Sequence, residues 1–184
     1  MFIYQSQIDA KTGISFFAEE QKFASEVAVG TFGPSQKRII DRNTRQLQGI
    51  YSYAISAKKY DFAERLLTLA ESREKNKVDL HFCYNCWIEL LYKQRDKQGY
   101  LERCIDYCIK DIKLWKKIEK DKFFANYVTT IPSFQRLAII YEKGGKYKEA
   151  IEVSKLVLSY QTVVNHDNFS KRIERLSKKL EGEK

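Results

Sequence analysis

The stretch Leu137–Tyr160, LAIIYEKGGKYKEAIEVSKLVLSY, decides the fold of this chain. Apolar residues recur at helical spacing on both sides of the sequence KGGK, such as Leu137 and Tyr141 before it and Ala150 and Ile151 after it. This pattern predicts two amphipathic helices joined by a short turn. Each helix of such a hairpin has one apolar stripe, and the hairpin alone cannot bury both stripes. The stretch therefore implies further helices packed beside it.

The composition agrees with an all-helical chain. With 184 residues, the chain has room for one domain, or one domain with a small extension. A hydrophobic content of 43% is enough for a core, and only 2 Pro and 8 Gly favour long regular elements over a loop-rich design. No run of about 18 apolar residues occurs, and the N-terminus lacks a secretory pattern. We therefore expect a cytoplasmic protein that keeps its 4 cysteines reduced and has no contact with a membrane.

The charge is unevenly distributed along the chain. Residues 1–34 carry 2 Lys and 4 Asp/Glu, whereas residues 35–184 carry 31 Lys/Arg and 20 Asp/Glu, so the two parts have net charges of −2 and +11. A basic body attracts acidic partners, either a polypeptide or a nucleic acid. The charges are interspersed, as in KKIEKDK at residues 116–122, and this pattern is also typical of solvated helix faces.

Residues 1–34 form a separate N-terminal appendage in this interpretation, and residues 35–184 form the helical domain. The segments 2–8 and 14–17 are consistent with a β-hairpin, but residues 15–27 are equally consistent with one helix. The sequence GTFGPS at residues 30–35 marks the boundary.

The helical domain divides into three hairpins and a last helix. The pattern predicts helices over about residues 36–57, 60–74, 79–93, 100–118, 132–143, 147–160 and 169–180. The hairpins share spacings, since Tyr60 precedes Ala63 by three residues just as Tyr147 precedes Ala150, and Cys104 occupies the matching small position in the middle hairpin. Small residues there allow two helices to approach closely. A last helix with a single apolar stripe is what closes a stack of hairpins.

At these residues the chain resembles the tetratricopeptide repeat (TPR) family. The third hairpin matches best, and its segment 131–153 also resembles uncharacterised bacterial and phage proteins of this type. The spacing between equivalent small residues is 41 and 46 residues instead of the family period of about 34, so helices or linkers are longer here. The resemblance implies a right-handed α-solenoid of about three hairpins with a C-terminal capping helix.

The resemblance also implies a function, because members of the family bind a peptide in the groove lined by the first helix of each hairpin. Carried over by spacing, the exposed positions of this partner-binding groove are Arg45, Gln48, Ser52, Ile55, Glu89, Lys93, Gln135, Ile139 and Glu142. The lysine, asparagine and arginine set with which some members hold a terminal carboxylate has no counterpart at these positions.

Four cysteines form the one pattern that suggests a metal. Cys83 and Cys86 in one predicted helix and Cys104 and Cys108 in the next are weak candidates for zinc ligands. Their offset along antiparallel helices makes one shared ion difficult, and small residues at helix contacts are the alternative interpretation. We therefore predict no metal and no cofactor.

No motif in the chain indicates catalysis. His81 and His166 lack a catalytic context, and there is no phosphate-binding loop or nucleophile motif. The sequence thus predicts a non-enzymatic scaffold for protein or peptide interaction, with a regulatory or adaptor role. A nucleic-acid-binding protein that uses the basic body is the first alternative, with Tyr160 and Phe124 as candidate exposed rings, and a cysteine-based zinc or redox protein is the second. The sequence does not indicate the oligomeric state.

Overall fold

A computed structural model describes residues 7–8, 15–16, 44–124, 130–160, 163 and 165–182, with side chains described from residue 50 onward. In these ranges the chain is helical apart from two very short strands, which confirms the all-helical prediction for the domain after residue 43. The chain divides into two compact units, Met1–Cys86 and Trp87–Lys184. The predicted domain boundary at residues 34 and 35 lies outside the described residues.

The N-terminal part contains a small antiparallel ladder. Strand β1 (Gln7–Ile8) pairs with strand β2 (Ser15–Phe16), with Gln7 opposite Phe16 and Ile8 opposite Ser15. This pairing is the one that the hairpin alternative expects. The remainder of residues 1–34 lies outside the described part of the chain.

Seven helices follow in the described ranges. Helices α1 (Thr44–Ser56) and α2 (Tyr60–Arg73) belong to the first unit, and α3 (Lys77–Lys93) begins there. Helices α4 (Tyr100–Ile118), α5 (Pro132–Lys143), α6 (Tyr147–Leu158) and α7 (His166–Gly182) belong to the second unit. Helix α1 packs on α2, and in the second unit α4 packs on α5, α5 on α6 and α6 on α7. No helix among the described residues is long and apolar enough to cross a membrane.

The first and third hairpins turn in the same way. Lys58 and Gly145 have left-handed backbones, with φ of 60° and 72°. The next residue donates its N–H to a carbonyl five residues earlier in both turns, from Lys59 to Ala54 at 2.8 Å and from Lys146 to Tyr141 at 2.8 Å. These bonds close the preceding helix with a Schellman motif. The chain therefore builds the same turn twice, as the matching sequence spacings predict.

Small residues occupy the helix contacts that the spacing predicts. Ala63, Cys104 and Ala150 are all fully buried. In the middle hairpin the Sγ of Cys104 lies 3.6 Å from the carbonyl oxygen of Ile88 on α3, so the two helices are in close contact there. A larger side chain at these positions would separate the helices.

Helix α7 covers the third hairpin. Its Leu176 is fully buried with Ala150 and Ile151 of α6, and Tyr141 and Ile173 pack around them. The apolar stripe of the hairpin is thus buried against the last helix of the chain, as expected for two helices that cannot bury their stripes alone.

Two predictions about rings and one about a helix end were wrong. Tyr160 and Phe124 are buried instead of exposed, because Tyr160 packs against Phe134 at a centroid distance of 5.7 Å and Phe124 packs against Trp115 at 4.9 Å. Helix α7 begins at His166, three residues before the predicted start, since a polar first turn in a helix looks like a loop in the sequence.

Candidate functional site: a cationic cleft beside the last helix

A cleft of about 350 Å³ opens beside α5 and α7 in the second unit. The residues that line it are mostly polar, and three of them are cationic, whereas none is acidic. Those residues are Gln135 from α5, Asn165 just before α7, and Asn168, Phe169, Lys171, Arg172 and Arg175 from α7. A concave site of this size with several polar groups is the kind of place in which proteins bind small ligands or side chains of a partner.

The apolar stripe of α7 places the three cations. Phe169 and Leu176 are buried, and they are seven residues apart, so they lie on nearly the same side of the helix. Lys171, Arg172 and Arg175 lie on one flank of this stripe by the same periodicity. Burial of the stripe therefore fixes the rotation of α7 and turns these cations toward the cleft that they line.

Glu142 on α5 joins the two arginines. Its Oε2 accepts a hydrogen bond from Nε of Arg172 at 3.1 Å, and its Oε1 accepts one from Nη1 of Arg175 at 2.6 Å. The Arg172 guanidinium also lies 5.6 Å from the centroid of the Phe169 ring. The side chains of Glu142 and Arg172 are 21% and 15% exposed, so this contact is partly shielded from water. Such charge-assisted bonds are stronger than bonds between neutral groups.

The electrostatics of the pair follow from this geometry. The hydrogen bond from Arg175 is the main reason that the pKa of the Glu142 carboxyl is lowered, and Arg172 adds to the effect while partial burial opposes it. The pKa of Arg175 is raised, chiefly by the same hydrogen bond. Both groups therefore stay charged at neutral pH.

The cleft has hydrogen-bond donors to spare. Each guanidinium has five N–H groups and uses one on Glu142, so four remain on each arginine. Lys171 is exposed and has no ion-pair partner within the described residues. The amides of Gln135, Asn165 and Asn168 are further potential donors. The arrangement is suited to binding an anionic group.

Two of the three predicted groove positions of the third hairpin lie at or beside this cleft. Gln135 lines it, and Glu142 holds two of its arginines. Ile139 lies half-buried between these two positions in the sequence of α5. The structure thus brings Gln135 and Glu142 to one site, but α7 supplies most of the lining.

The groove positions of the first hairpin are not equivalent to those of the third. Ile55 is fully buried and therefore cannot contact a partner, contrary to the exposure that the spacing predicts. Burial of an isoleucine side chain contributes roughly 1.5–3 kcal/mol to the stability of the fold. The residue at the matching position of the third hairpin, Glu142, is charged instead. Ser52 is exposed. Arg45 and Gln48 lie on α1, and their side chains lie outside the described residues.

The groove positions of the middle hairpin form an ion pair with each other. Nζ of Lys93 lies 3.0 Å from Oε1 of Glu89, one helical turn earlier. Their side chains are 41% and 48% exposed, so the pair contributes only about 0.3–0.5 kcal/mol to stability. The charges of these two groove positions therefore compensate each other.

The cysteines fit the packing interpretation. Cys83, Cys104 and Cys108 are buried and Cys86 is half-buried, all as free thiols. Burial raises the pKa of the Cys83 thiol, and a hydrogen bond with Cys104 together with burial raises that of Cys108. Within the described ranges, no three Cys, His, Asp or Glu side chains are grouped as metal ligands.

The two histidines have structural contacts. His81 is buried, and its Nε2 lies 3.1 Å from Nδ2 of Asn85. His166 begins α7, and its Nε2 lies 3.0 Å from the carbonyl oxygen of Tyr160. Both contacts help to fix local structure.

Lys171, Arg172 and Arg175 were not predicted as site residues. Their spacing is the available signal, because residues one and four positions apart put three cations on one helix flank. The same three charges are equally typical of a helix face that is exposed to solvent. Only the packing of α7 beside α5 shows that they border a cleft.

No match to this chain was found among protein families, curated proteins or solved structures.

Proposed function

We propose that this chain is a non-catalytic helical-hairpin scaffold that binds an acidic segment of a partner polypeptide in the cationic cleft beside α5 and α7. The observation that carries the proposal is the cleft itself, with three cations and three amides in its lining and no carboxylate. Complementary charge of this kind selects acidic partners and speeds their association.

The charge balance supports an anionic partner. Lys171, Arg172 and Arg175 contribute three positive charges, and the paired Glu142 contributes one negative charge, so the site has a net charge of +2. Two guanidinium groups surround one carboxylate, so a positive electrostatic potential remains at the site. An acidic segment would neutralise it.

The helical hairpins support a scaffold role. The repeated turn geometry at Lys58 and Gly145 and the buried small residues fit the resemblance to TPR proteins that the sequence suggests. From the sequence, we infer a solenoid-like succession of hairpins and an adaptor or regulatory role, as in peptide-binding members of that family.

Nucleic-acid binding is the second candidate, and a set of cation–ring contacts favours it. Guanidinium groups of Arg95 and Arg136 lie 4.8 and 3.7 Å from the centroid of the Tyr92 ring, and Nζ of Lys110 lies 4.3 Å from that of Tyr107. Basic residues beside aromatic rings are typical of single-strand binding surfaces. This candidate ranks second because the protein's own cations already lie over these rings, where bases would have to stack.

The proposal is tested with a short fluorescent peptide in which Asp and Glu alternate with Leu, and with a second peptide in which Asn and Gln replace the acids. Fluorescence anisotropy measures binding to the full chain and to two variants. Lys171→Glu reverses a charge in the cleft, and Lys178→Glu makes the same change on an exposed residue of α7 that does not line it.

We expect the acidic peptide to bind, the neutral peptide to bind more weakly, and Lys171→Glu to weaken acidic-peptide binding by about tenfold, or about 1.4 kcal/mol. Lys178→Glu should bind like the original chain. Equal losses in both variants would show unspecific charge attraction and would contradict the proposal. A single-stranded oligonucleotide that binds more tightly than the peptide, with a steep log-linear dependence on salt, would favour the second candidate.

A further inference from the structure

The net charge of +2 in the cleft is larger than one carboxylate requires. A single carboxylate brings one negative charge, so it would leave a positive charge uncompensated beside the partly shielded pair of Glu142 and Arg172. A phosphomonoester carries a charge of about −1.5 to −2 at neutral pH and therefore matches the site.

The donors of the cleft also suit a phosphoryl group. A phosphomonoester presents three strong acceptor oxygens on one atom, which one carboxylate cannot do. Arg172 and Arg175 each retain four N–H groups after binding Glu142, and Lys171 adds three more. Arginine guanidinium groups bind phosphate oxygens in pairs, so two arginines and a lysine at one site are a suitable set.

Glu142 holds the arginines in place before a ligand arrives. It fixes Nε of Arg172 and Nη1 of Arg175, and the Phe169 ring lies against the Arg172 guanidinium. Less side-chain freedom is then lost when a ligand binds, and this gain in preorganisation improves affinity.

The remaining charged groups near the cleft do not reverse this balance. Asp167 and Glu174 on α7 are exposed and do not line the cleft, and His166 contacts the carbonyl oxygen of Tyr160. Glu142 is the carboxylate of α5 at this site, and two arginines already neutralise it.

We propose that the cleft recognises a phosphomonoester, carried on a serine or threonine side chain of the partner polypeptide. This inference rests on the proposed function, because it specifies the acidic group that the same site binds. Binding would then depend on phosphorylation of the partner.

The test compares three peptides of otherwise identical sequence. The first contains phosphoserine, the second contains unmodified serine, and the third contains two adjacent glutamates in its place. Isothermal titration calorimetry measures their affinities for the full chain, for Lys171→Ala and for the matched control Lys178→Ala. Adenosine monophosphate and inorganic phosphate are added as competitors, because they carry the same chemical group without a polypeptide.

We expect the phosphopeptide to bind about tenfold more tightly than the diglutamate peptide, since the phosphoryl group presents three strong acceptor oxygens on one atom to the donors of the cleft. Lys171→Ala should lose most of this preference, and Lys178→Ala should keep it. Adenosine monophosphate and inorganic phosphate should compete only at much higher concentration.

The pH dependence separates the two acidic peptides. The second pKa of a phosphomonoester is about 6, so the preference for the phosphopeptide should fall when the pH is lowered from about 7.5 to about 5. Glutamates remain charged over most of this range. The protein is the same in both measurements, so the change in the difference between the two affinities reports the ligand.

The results distinguish this inference from the proposed function. If the phosphopeptide and the diglutamate peptide bind with equal affinity, and Lys171→Ala weakens the binding of both, the inference is overturned and the proposed function is left intact. Failure of all three peptides to bind would contradict both. If adenosine monophosphate binds as tightly as the phosphopeptide, the cleft recognises the phosphate group without a polypeptide. This result would overturn the inference that the group is carried on a partner polypeptide.

Discussion

At the scale of single residues, Glu142 has the largest influence on the candidate site. It lies on α5 and accepts hydrogen bonds from Arg172 and Arg175, which lie on α7. One carboxylate thus connects two helices that are distant in sequence and also sets the positions of two cations in the cleft. In the proposed function, this side chain therefore affects both the stability of the fold and the binding of the partner.

We predict that Glu142→Gln lowers the free energy of unfolding by about 1 kcal/mol at neutral pH, because two charge-assisted hydrogen bonds at a partly exposed site are weakened. Urea denaturation followed by circular dichroism measures this difference. The exposed Glu152 on α6 provides the control, and Glu152→Gln should change the stability by less than about 0.5 kcal/mol.

The pH dependence of the same variant has a definite sign. Arg175 and Arg172 lower the pKa of Glu142 in the folded state, so its contribution is fully present above the ordinary pKa of a glutamate, which is about 4.3. This contribution is lost as the pH falls through the lowered folded-state value. The original chain and Glu142→Gln should therefore differ at pH near 7 and converge in acid. A constant difference across this range would show that the ion pair is not the cause.

The sequence allowed some of these residues to be predicted, but not all. Gln135 and Glu142 were predicted from the spacing of the third hairpin, and both lie at the cleft. Ile55 was predicted as exposed by the same spacing and is buried, because spacing transfers a position on a helix but not its surroundings. Lys171 was missed, since only the packing of α7 on the hairpin shows which charged flank borders a cleft.

At the scale of elements, the turn between α5 and α6 tests the repeated hairpin geometry. Gly145 has φ of 72°, whereas the adjacent Gly144 has φ of −84°. A Cβ at position 145 would meet no atom within 4 Å, so the cost of a side chain there comes from the backbone alone. We predict that Gly145→Ala lowers the free energy of unfolding by about 1 kcal/mol, measured by chemical denaturation.

Gly144→Ala is the matched control, because Gly144 has a negative φ of −84° that other residues also adopt, and a Cβ there would lie 3.4 Å from the carbonyl oxygen of Ile140. It should change the stability by no more than a few tenths of a kcal/mol. A larger loss in Gly144→Ala than in Gly145→Ala would show that the left-handed cap is not what ends α5.

The ends of helices could be predicted only where turn residues are distinctive. Helix α4 begins at Tyr100 and ends at Ile118, as predicted, because Gly99 has φ of 78° and interrupts the apolar pattern before it. Helix α7 begins earlier than predicted, since its first turn, His166 to Asn168, is polar and resembles a loop. The register of each helix could be predicted because apolar residues at a spacing of three and four must face the core.

At the scale of the whole molecule, the four cysteines report on packing in both units. Cys83, Cys104 and Cys108 are buried, and Cys86 is half-buried. Because the thiolate is the reactive form, the raised pKa values of Cys83 and Cys108 slow their reaction further. We predict that iodoacetamide modifies Cys86 first in the folded protein, while the other three react only after denaturant is added.

Mass spectrometry of peptides after timed modification checks this order. The denatured protein provides the control, since all four thiols should then react at similar rates. Rapid reaction of Cys104 or Cys108 in the folded protein would contradict the packed contact of α3 and α4 in the second unit.

The net charge of +9 does not identify the binding surface by itself, because acids and bases are interspersed along the helices. The fold concentrates three cations at one cleft whose lining contains no carboxylate. The distribution of charge in the folded chain, not its total, therefore supports the proposed function.

The most direct test is an NMR titration of the isotope-labelled full chain with the acidic peptide. We predict that the largest shifts occur at the backbone amides of Gln135 and of residues 165–175, and that Lys171→Glu raises the peptide concentration needed to reach them by about tenfold. Largest shifts around Tyr92 and Tyr107 instead, or no shifts at all, would contradict an acidic-segment site beside α5 and α7.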